Sequence, residues 1–260
     1  MRIETRGPEF GRCNICGRES KLTEDHVPPK GCPKVGQARL MEIMAFLGSR
    51  QEKTRTRNFQ RGITYRTICA ECNSVLLGQQ YDPELISFSR KIESDLNNRI
   101  FLPIELATKP NRLVRSVVGH LIAHGVGLHR TGSMYEDLTD YFLDPRSSWP
   151  KSLQLFFWPY PSNDQVVIRG SASLSIKKGE KGFVYALFKF FPVAFMITVG
   201  EPRYFPYLYL RMDNLLSEEI DQLASISIPI SDIPPIRWPE APADHNMVLH
   251  TDHSFGAKRG

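Results

Sequence analysis

The chain has 260 residues, a formal net charge of +5, and 41% apolar against 23% charged residues, an ordinary globular composition with enough length for a sizeable core. No apolar run reaches the roughly 20 residues needed to span a bilayer. The opening Met-Arg-Ile-Glu-Thr-Arg lacks the apolar heart of a secretory signal, so a cytoplasmic protein is expected.

The excess charge is local. Residues 1–61 hold 13 Lys and Arg against 7 Asp and Glu, which leaves 20 against 21 in the remainder. A basic first quarter suits a part that approaches phosphates. Residues 1–10 read as an extended lead-in, followed by Cys13-Asn14-Ile15-Cys16, a tight turn between Arg12 and Gly17. Lys21–Val27 is expected as a strand ending at Asp25-His26 and stopped by Pro28-Pro29, which cannot donate to a ladder. Ala38–Leu47 places Leu40, Ile43, Met44 and Leu47 at helical spacing, so a short helix is expected there.

Residues 50–61 follow with five basic side chains, Arg50, Lys53, Arg55, Arg57 and Arg61, and read as a mobile loop able to grip a phosphate backbone. The alternating, β-branched Gly62–Cys69 is expected as a second strand. Cys69-Ala70-Glu71-Cys72-Asn73 then opens a helix to about Gln80. Asp82 and Pro83 have the chemistry of an N-cap and a first helical position, beginning a fresh amphipathic helix with Leu85, Phe88, Ile92 and Leu96 inward.

A further helix starts near Thr108, with Leu113, Val117, Leu121 and His124 on one stripe. Ser133-Met-Tyr-Glu136 has capping-box form and begins another, to about Leu143. Strands are expected at 153–158, 165–170, 183–190, 193–199 and 207–212, joined by turn-forming segments into an antiparallel meander. Its aromatics, among them Phe156, Phe157, Trp158, Tyr185, Phe188, Phe190 and Phe191, read as core, against the alternative of a ligand-binding sheet. A short helix is expected over 216–224, and the proline-rich remainder as a surface wrap or disordered tail.

Four of the five cysteines lie in two Cys-x-x-Cys pairs, a spacing that offers tetrahedral zinc two thiolates from each of two turns. Cys13, Cys16, Cys69 and Cys72 are therefore expected to share one structural zinc, and Cys32 to be a partly buried free thiol near the site. Between the pairs, Asp25-His26 sets a carboxylate beside an imidazole that can accept a proton from water, so His26 is the candidate general base. His120-Leu-Ile-Ala-His124 has the spacing of a zinc pair but lacks a glutamate base at 121, and reads as a core helix. Asp244, His245, His250, Asp252 and His253 form a loose cluster read as solvated.

Asp25-His26 followed by Pro28, Pro29 and Gly31, and Cys69-x-x-Cys72-Asn73 with Gly78 soon after, resemble the HNH nuclease family. The core of that family is a ββα-metal unit often braced by a four-cysteine zinc site, and the resemblance covers roughly residues 11–82. It implies a zinc-braced, treble-clef-like ββα-metal unit, placed in residues 1–100. The periodicity of the rest adds an α+β part of helices and mostly antiparallel sheet in 101–230 and an extended or disordered tail in 231–260, so an α+β protein is expected.

The resemblance further implies a divalent-metal-dependent DNA endonuclease, of a kind that serves restriction or anti-phage defence in bacteria. Asp25 and Asn73 would hold a catalytic Mg or Mn, and Arg66 on the second strand would clamp a phosphate of double-stranded DNA. Thr64 stands where the family carries the middle asparagine that buttresses the histidine, a departure that offers one hydroxyl in place of an amide and so a weaker hold on His26. Leu77 replaces the basic residue before the helix glycine. The alternative reading is a non-catalytic zinc module that binds nucleic acid or a protein partner; a homo-oligomer or an activating partner is left open.

Overall fold

Runs of β-branched, aromatic and other apolar residues build three sheets, two of which pack against the same central helix. In the computed structural model, residues 3–49, 55–98, 103–175, 182–200, 211–217, 219–228, 233–241 and 246–259 are described. Near the N-terminus β1 (Phe10–Arg12), β2 (Glu19–His26) and β5 (Thr64–Cys69) form a three-stranded antiparallel sheet in the order β1-β2-β5. The second sheet runs β4 (Thr56–Phe59), β3 (Ala38–Glu42), β13 (Ser254–Arg259), β8 (Gln165–Ser175), β9 (Phe183–Phe190), β10 (Val193–Val199), β7 (Leu153–Pro159). In that sheet β12 (Asn246–His250) also pairs with β8, and every pairing is antiparallel. The fold is thus mixed α and β with mostly antiparallel sheet, and a cluster of four cysteines near its N-terminus.

Of the meander expected from 153 to 212, β8-β9-β10 is present; β7 does not neighbour β8 as expected but lies beyond β10, where all seven of its residues pair. Its strands are buried on both faces. Leu155 and Phe157 of β7 join the core beneath the helices, whereas Phe156 and Trp158 join a second cluster on the opposite face. That double burial places all seven singled-out aromatics in the core. Helices α2 (Asp82–Asn97), α3 (Pro110–Ala123) and α4 (Ser133–Leu143) pack in succession, α3 against α2, α4, β5, β8 and β9. All residues of α3 except Arg112 are buried, so it is the central strut.

Several local expectations give way to tertiary packing. Ala38–Leu47 is not one helix: Ala38–Glu42 is β3, because Ala38 and Leu40 pair across to both β13 and β4, and only Ile43–Phe46 (α1) is helical. The basic stretch expected as a loop contains β4, an edge strand zipped to β3; Arg50 and Lys53 lie outside the described residues. The helix beginning at Glu71 does not stop at Asp82. A π-type segment, Glu71–Tyr81, runs directly into α2, and Asp82 turns its carboxylate to Ser116 and His120 instead of capping.

Gly132, at φ +92°, precedes α4 with no side-chain cap, so the Ser133 capping box is not formed. Residues 216–224 are not helical where described. Ala224–Ile228 forms β11 and pairs with β6 (Ile104–Thr108), a strand that periodicity did not mark. Most of the strand expected at 207–212 lies outside the described residues, although Arg211 bridges to Phe156. The segment expected as a tail supplies β12 and β13, and β13 sits inside the large sheet between β3 and β8. No described helix is long and apolar enough to cross a membrane.

Candidate metal centre and the Asp25–His26 strand end

The two Cys-x-x-Cys turns converge because β1-β2 and β5 share a sheet. The first turn closes with the Gly17 amide donating to the Cys13 carbonyl (3.0 Å) and the Cys13 amide to Arg18 (3.0 Å), Gly17 taking φ +73°. The second turn leads from the end of β5 into the π-type helix. All four sulfurs lie within 4.8 Å of one another, and Cys16 Sγ and Cys69 Sγ are 3.7 Å apart. A tetrahedral zinc with Zn–S bonds of about 2.3 Å requires sulfurs about 3.8 Å apart. The donor set therefore fits zinc.

The electrostatics of the cluster agree with that chemistry. A hydrogen bond from the Cys72 thiol, helped by backbone amides that include Cys69 N (3.3 Å), lowers the Cys13 thiol, while that same bond raises Cys72 and burial raises Cys69. The protein alone therefore favours the Cys13 thiolate, and a bound cation would be needed to hold Cys69 and Cys72 ionised. Arg18 donates to Cys16 Sγ at 3.5 Å and sets a positive charge beside the thiolates. Among the described residues this is the one group in which three or more His, Cys, Asp or Glu donors approach closely enough for a metal. Cys32 is apart, buried, with burial pushing its thiol up to about 12.

Between the turns, Asp25 and His26 end β2 and point to opposite sides, as pleating requires. Asp25 goes inward. Its Oδ2 meets His120 Nδ1 at 2.9 Å, while His120 Nε2 meets Asp82 Oδ1 at 3.0 Å, and Ser116 Oγ donates to that same Asp82 oxygen at 2.7 Å. His120 is fully buried and its two partners nearly so, at 5% and 11% side-chain exposure. Burial alone would lower the imidazole; the paired carboxylates outweigh it and lift His120 to about 10. Both ring nitrogens thus carry protons and donate. Asp25 itself is pushed upward by burial, against the pull of His120.

Asp25 Oδ1 makes no hydrogen bond among the described residues, so one carboxylate oxygen is bound and one is left over. His26 is half-buried and directly opposite Thr64 in the β2–β5 ladder, and Gly62 packs close to its ring. Asn73, one residue past Cys72, reaches back to β2: its amide nitrogen donates to Thr23 Oγ1 and to the Glu24 carbonyl, both at 3.0 Å. Asn73 Oδ1 makes no hydrogen bond among the described residues. Asp25, His26, Thr64 and Asn73 therefore belong to one strand end and the helix start beside it.

The basic residues divide. Arg66 spends its guanidinium on the Gly7 carbonyl (2.9 and 2.7 Å) and approaches Glu9 at 3.7 Å, which ties down the N-terminal segment. Arg57 stacks over Phe59 and donates to the Ile3 carbonyl. Arg55 and Arg61 are exposed on and beside β4. Sequence reasoning missed His120 as the partner of Asp25 and Asp82 as the second carboxylate on His120. Their one advance signal was a histidine on the apolar stripe of a helix, which must find a partner when buried. In the tail, His250 is held by Ser171 and the Glu240 carbonyl, and the His253 carbonyl accepts from His124. Asp244 and His245 lie outside the described residues. Compared with models of protein families, with curated proteins and with solved structures, the chain matches none.

Proposed function

We propose that the chain is a divalent-metal-dependent endonuclease acting on DNA, with His26 as general base. The observation that carries this reading is the bridge from Asn73 to β2. The first turn of the helix is hydrogen-bonded to the strand just before Asp25-His26, with the Asn73 and Asp25 side chains each keeping one oxygen without a hydrogen-bond partner. Two oxygen donors suit Mg²⁺ or Mn²⁺, which keep several waters and accept phosphate oxygens. Such an ion would lend positive charge to the attacked phosphate and the departing oxygen.

The chain's own residues do the rest. Cys13, Cys16, Cys69 and Cys72 would hold a zinc that fastens together the two turns flanking the site. His120 holds Asp25 in one orientation through a charge-assisted hydrogen bond, the arrangement that tunes a ligating carboxylate. His26, on the opposite side of the same strand, takes the proton of the attacking water, and Thr64 stands across the ladder from it. One observation favours the second reading, a zinc module that binds without cleaving: Arg66 and one oxygen of Asp25 are already spent within the fold.

Plasmid cleavage with Mg²⁺ or Mn²⁺ separates the two. His26→Ala should keep zinc, fold and DNA affinity while cleavage falls about 10²–10⁴-fold. A wild type that binds DNA and cleaves it with neither ion would establish the binding module. Undiminished cleavage by His26→Ala would place the chemistry elsewhere.

A further inference from the structure

The large sheet carries a second basic feature that lies beyond the expected loop. On one face of the β4-β3-β13 edge, the pairing register aligns Asn58 with Arg39 and Arg39 with Lys258. Gln37 and Gln60 join side chains at 3.0 Å in the next row. A cleft of about 320 Å³ opens over these rows, and its polar lining consists of Gln37, Arg39, Asn58, Gln60, Lys258 and Arg259. Three amides and three cations line it, with no carboxylate; Arg259 already spends its guanidinium on the Lys34 carbonyl and Gln165, which leaves Arg39 and Lys258 as the cations facing the cleft.

Arg39 and Lys258 face each other directly across a ladder, an arrangement that costs stability through like-charge repulsion. Lys258 offsets part of that cost with Asp164 at 3.0 Å. Arg39 is exposed and has no partner among the described residues. An anion settling between the two would remove the repulsion. The cleft also points somewhere. The Gly62 amide donates to the Gly36 carbonyl at 2.7 Å just inward of the Gln37–Gln60 row, and a side chain at Gly62 would touch the His26 ring.

From this geometry we infer that the Arg39–Lys258 face binds the phosphate backbone of duplex DNA and leads it to the His26 strand end. The C-terminal strand thereby supplies part of the nucleic-acid surface. This rests on the endonuclease reading and extends it, since neither Arg39 nor Lys258 belongs to the loop and strand cations expected to meet phosphate. Amides between cations suit backbone recognition, which positions a duplex without reading its sequence.

The test is binding of a duplex of about 20 base pairs, without added divalent ion, between about 50 and 200 mM salt. Arg39→Gln with Lys258→Gln should weaken binding on the order of 10–100-fold at ~0.1 M salt and reduce the slope of log K against log salt by about two. Arg39→Gln alone should remove about one unit of slope, and it breaks no contact in the fold. Asp164→Asn, which frees Lys258, should tighten binding. A wild type that binds and cleaves DNA while the double variant keeps the same slope would overturn the inference and leave the endonuclease reading standing. A wild type with no affinity for DNA would overturn both.

Discussion

Replacing His120 tests the energetic centre of the site. His120→Leu removes an imidazolium that is wholly buried between Asp25 and Asp82 and leaves both carboxylates without their cation. Breaking a buried pair in this way costs about 3–5 kcal/mol, because the desolvation of the remaining charge is no longer offset. For a chain of this size each kcal/mol moves the melting temperature by about 2–4 °C, so a fall of roughly 6–20 °C is expected. Adding Asp25→Asn and Asp82→Asn to His120→Leu removes the stranded charges and should recover most of the loss.

The pH dependence has a definite sign. His120 is lifted from the ordinary imidazole range to about 10, so its contribution is full below about pH 6.5 and drains away as the pH rises toward 10. Asp25, pushed upward by burial, acts in the same direction. Wild type should therefore lose stability relative to the triple variant as the pH climbs from about 6.5 to 10, as followed by urea unfolding. A cost below about 1 kcal/mol for His120→Leu, or a difference between wild type and triple variant that is flat with pH, would refute the charged arrangement.

Two further outcomes follow from packing and metal binding. Cys69→Ser should abolish binding of about one zinc per chain, read by elemental analysis, and unfold the region around residues 13–72, since at a small site metal binding energy is folding energy. Gly119→Ala should destabilise by about 1–3 kcal/mol in thermal unfolding: a Cβ there would lie 2.6 Å from both Leu77 and Phe142, where α3 crosses the π-type helix and α4.

What could be read from the sequence was whatever repeats on a short scale. The cysteine spacing foretold the cluster, Pro28-Pro29 foretold the end of β2, and apolar runs separated by turn-forming segments foretold four strands of the large sheet. The stripe on α2 and the core placement of His120 and His124 were equally plain. What could not be read depended on partners far away in the chain. Ala38–Glu42 has helical spacing in isolation, yet it is a strand because β13, more than 200 residues later, pairs with it. Ile104–Thr108 and Ala224–Ile228 are strands only for each other. Nothing near Asp25 in the chain announces that a buried histidine 95 residues away claims one of its oxygens.

His120 and His124 lie one turn apart on α3 and both are buried, yet they carry opposite charge states. His120 meets two carboxylates and holds its proton to about 10. His124 meets only the His253 carbonyl, at 3.0 Å, and burial lowers it to about 3. A spacing that mimics a metal pair therefore serves to fasten α3 to two different places, β2 through His120 and the turn before β13 through His124. The end of the helix completes the junction. Its final carbonyls, which no helical amide can satisfy, accept from three directions: Asn14 of the first cysteine turn reaches Ile122 and Gly125, Thr67 of β5 reaches Ala123, and the buried Arg169 of β8 reaches Ile122 and His124. The guanidinium adds positive charge at the negative end of the helix dipole. Both strands that frame His26, and the turn that carries two of the cysteines, are thus referenced to one rigid helix. The orientation of the strand end is consequently set by the core of the protein as well as by the cysteine turns beside it.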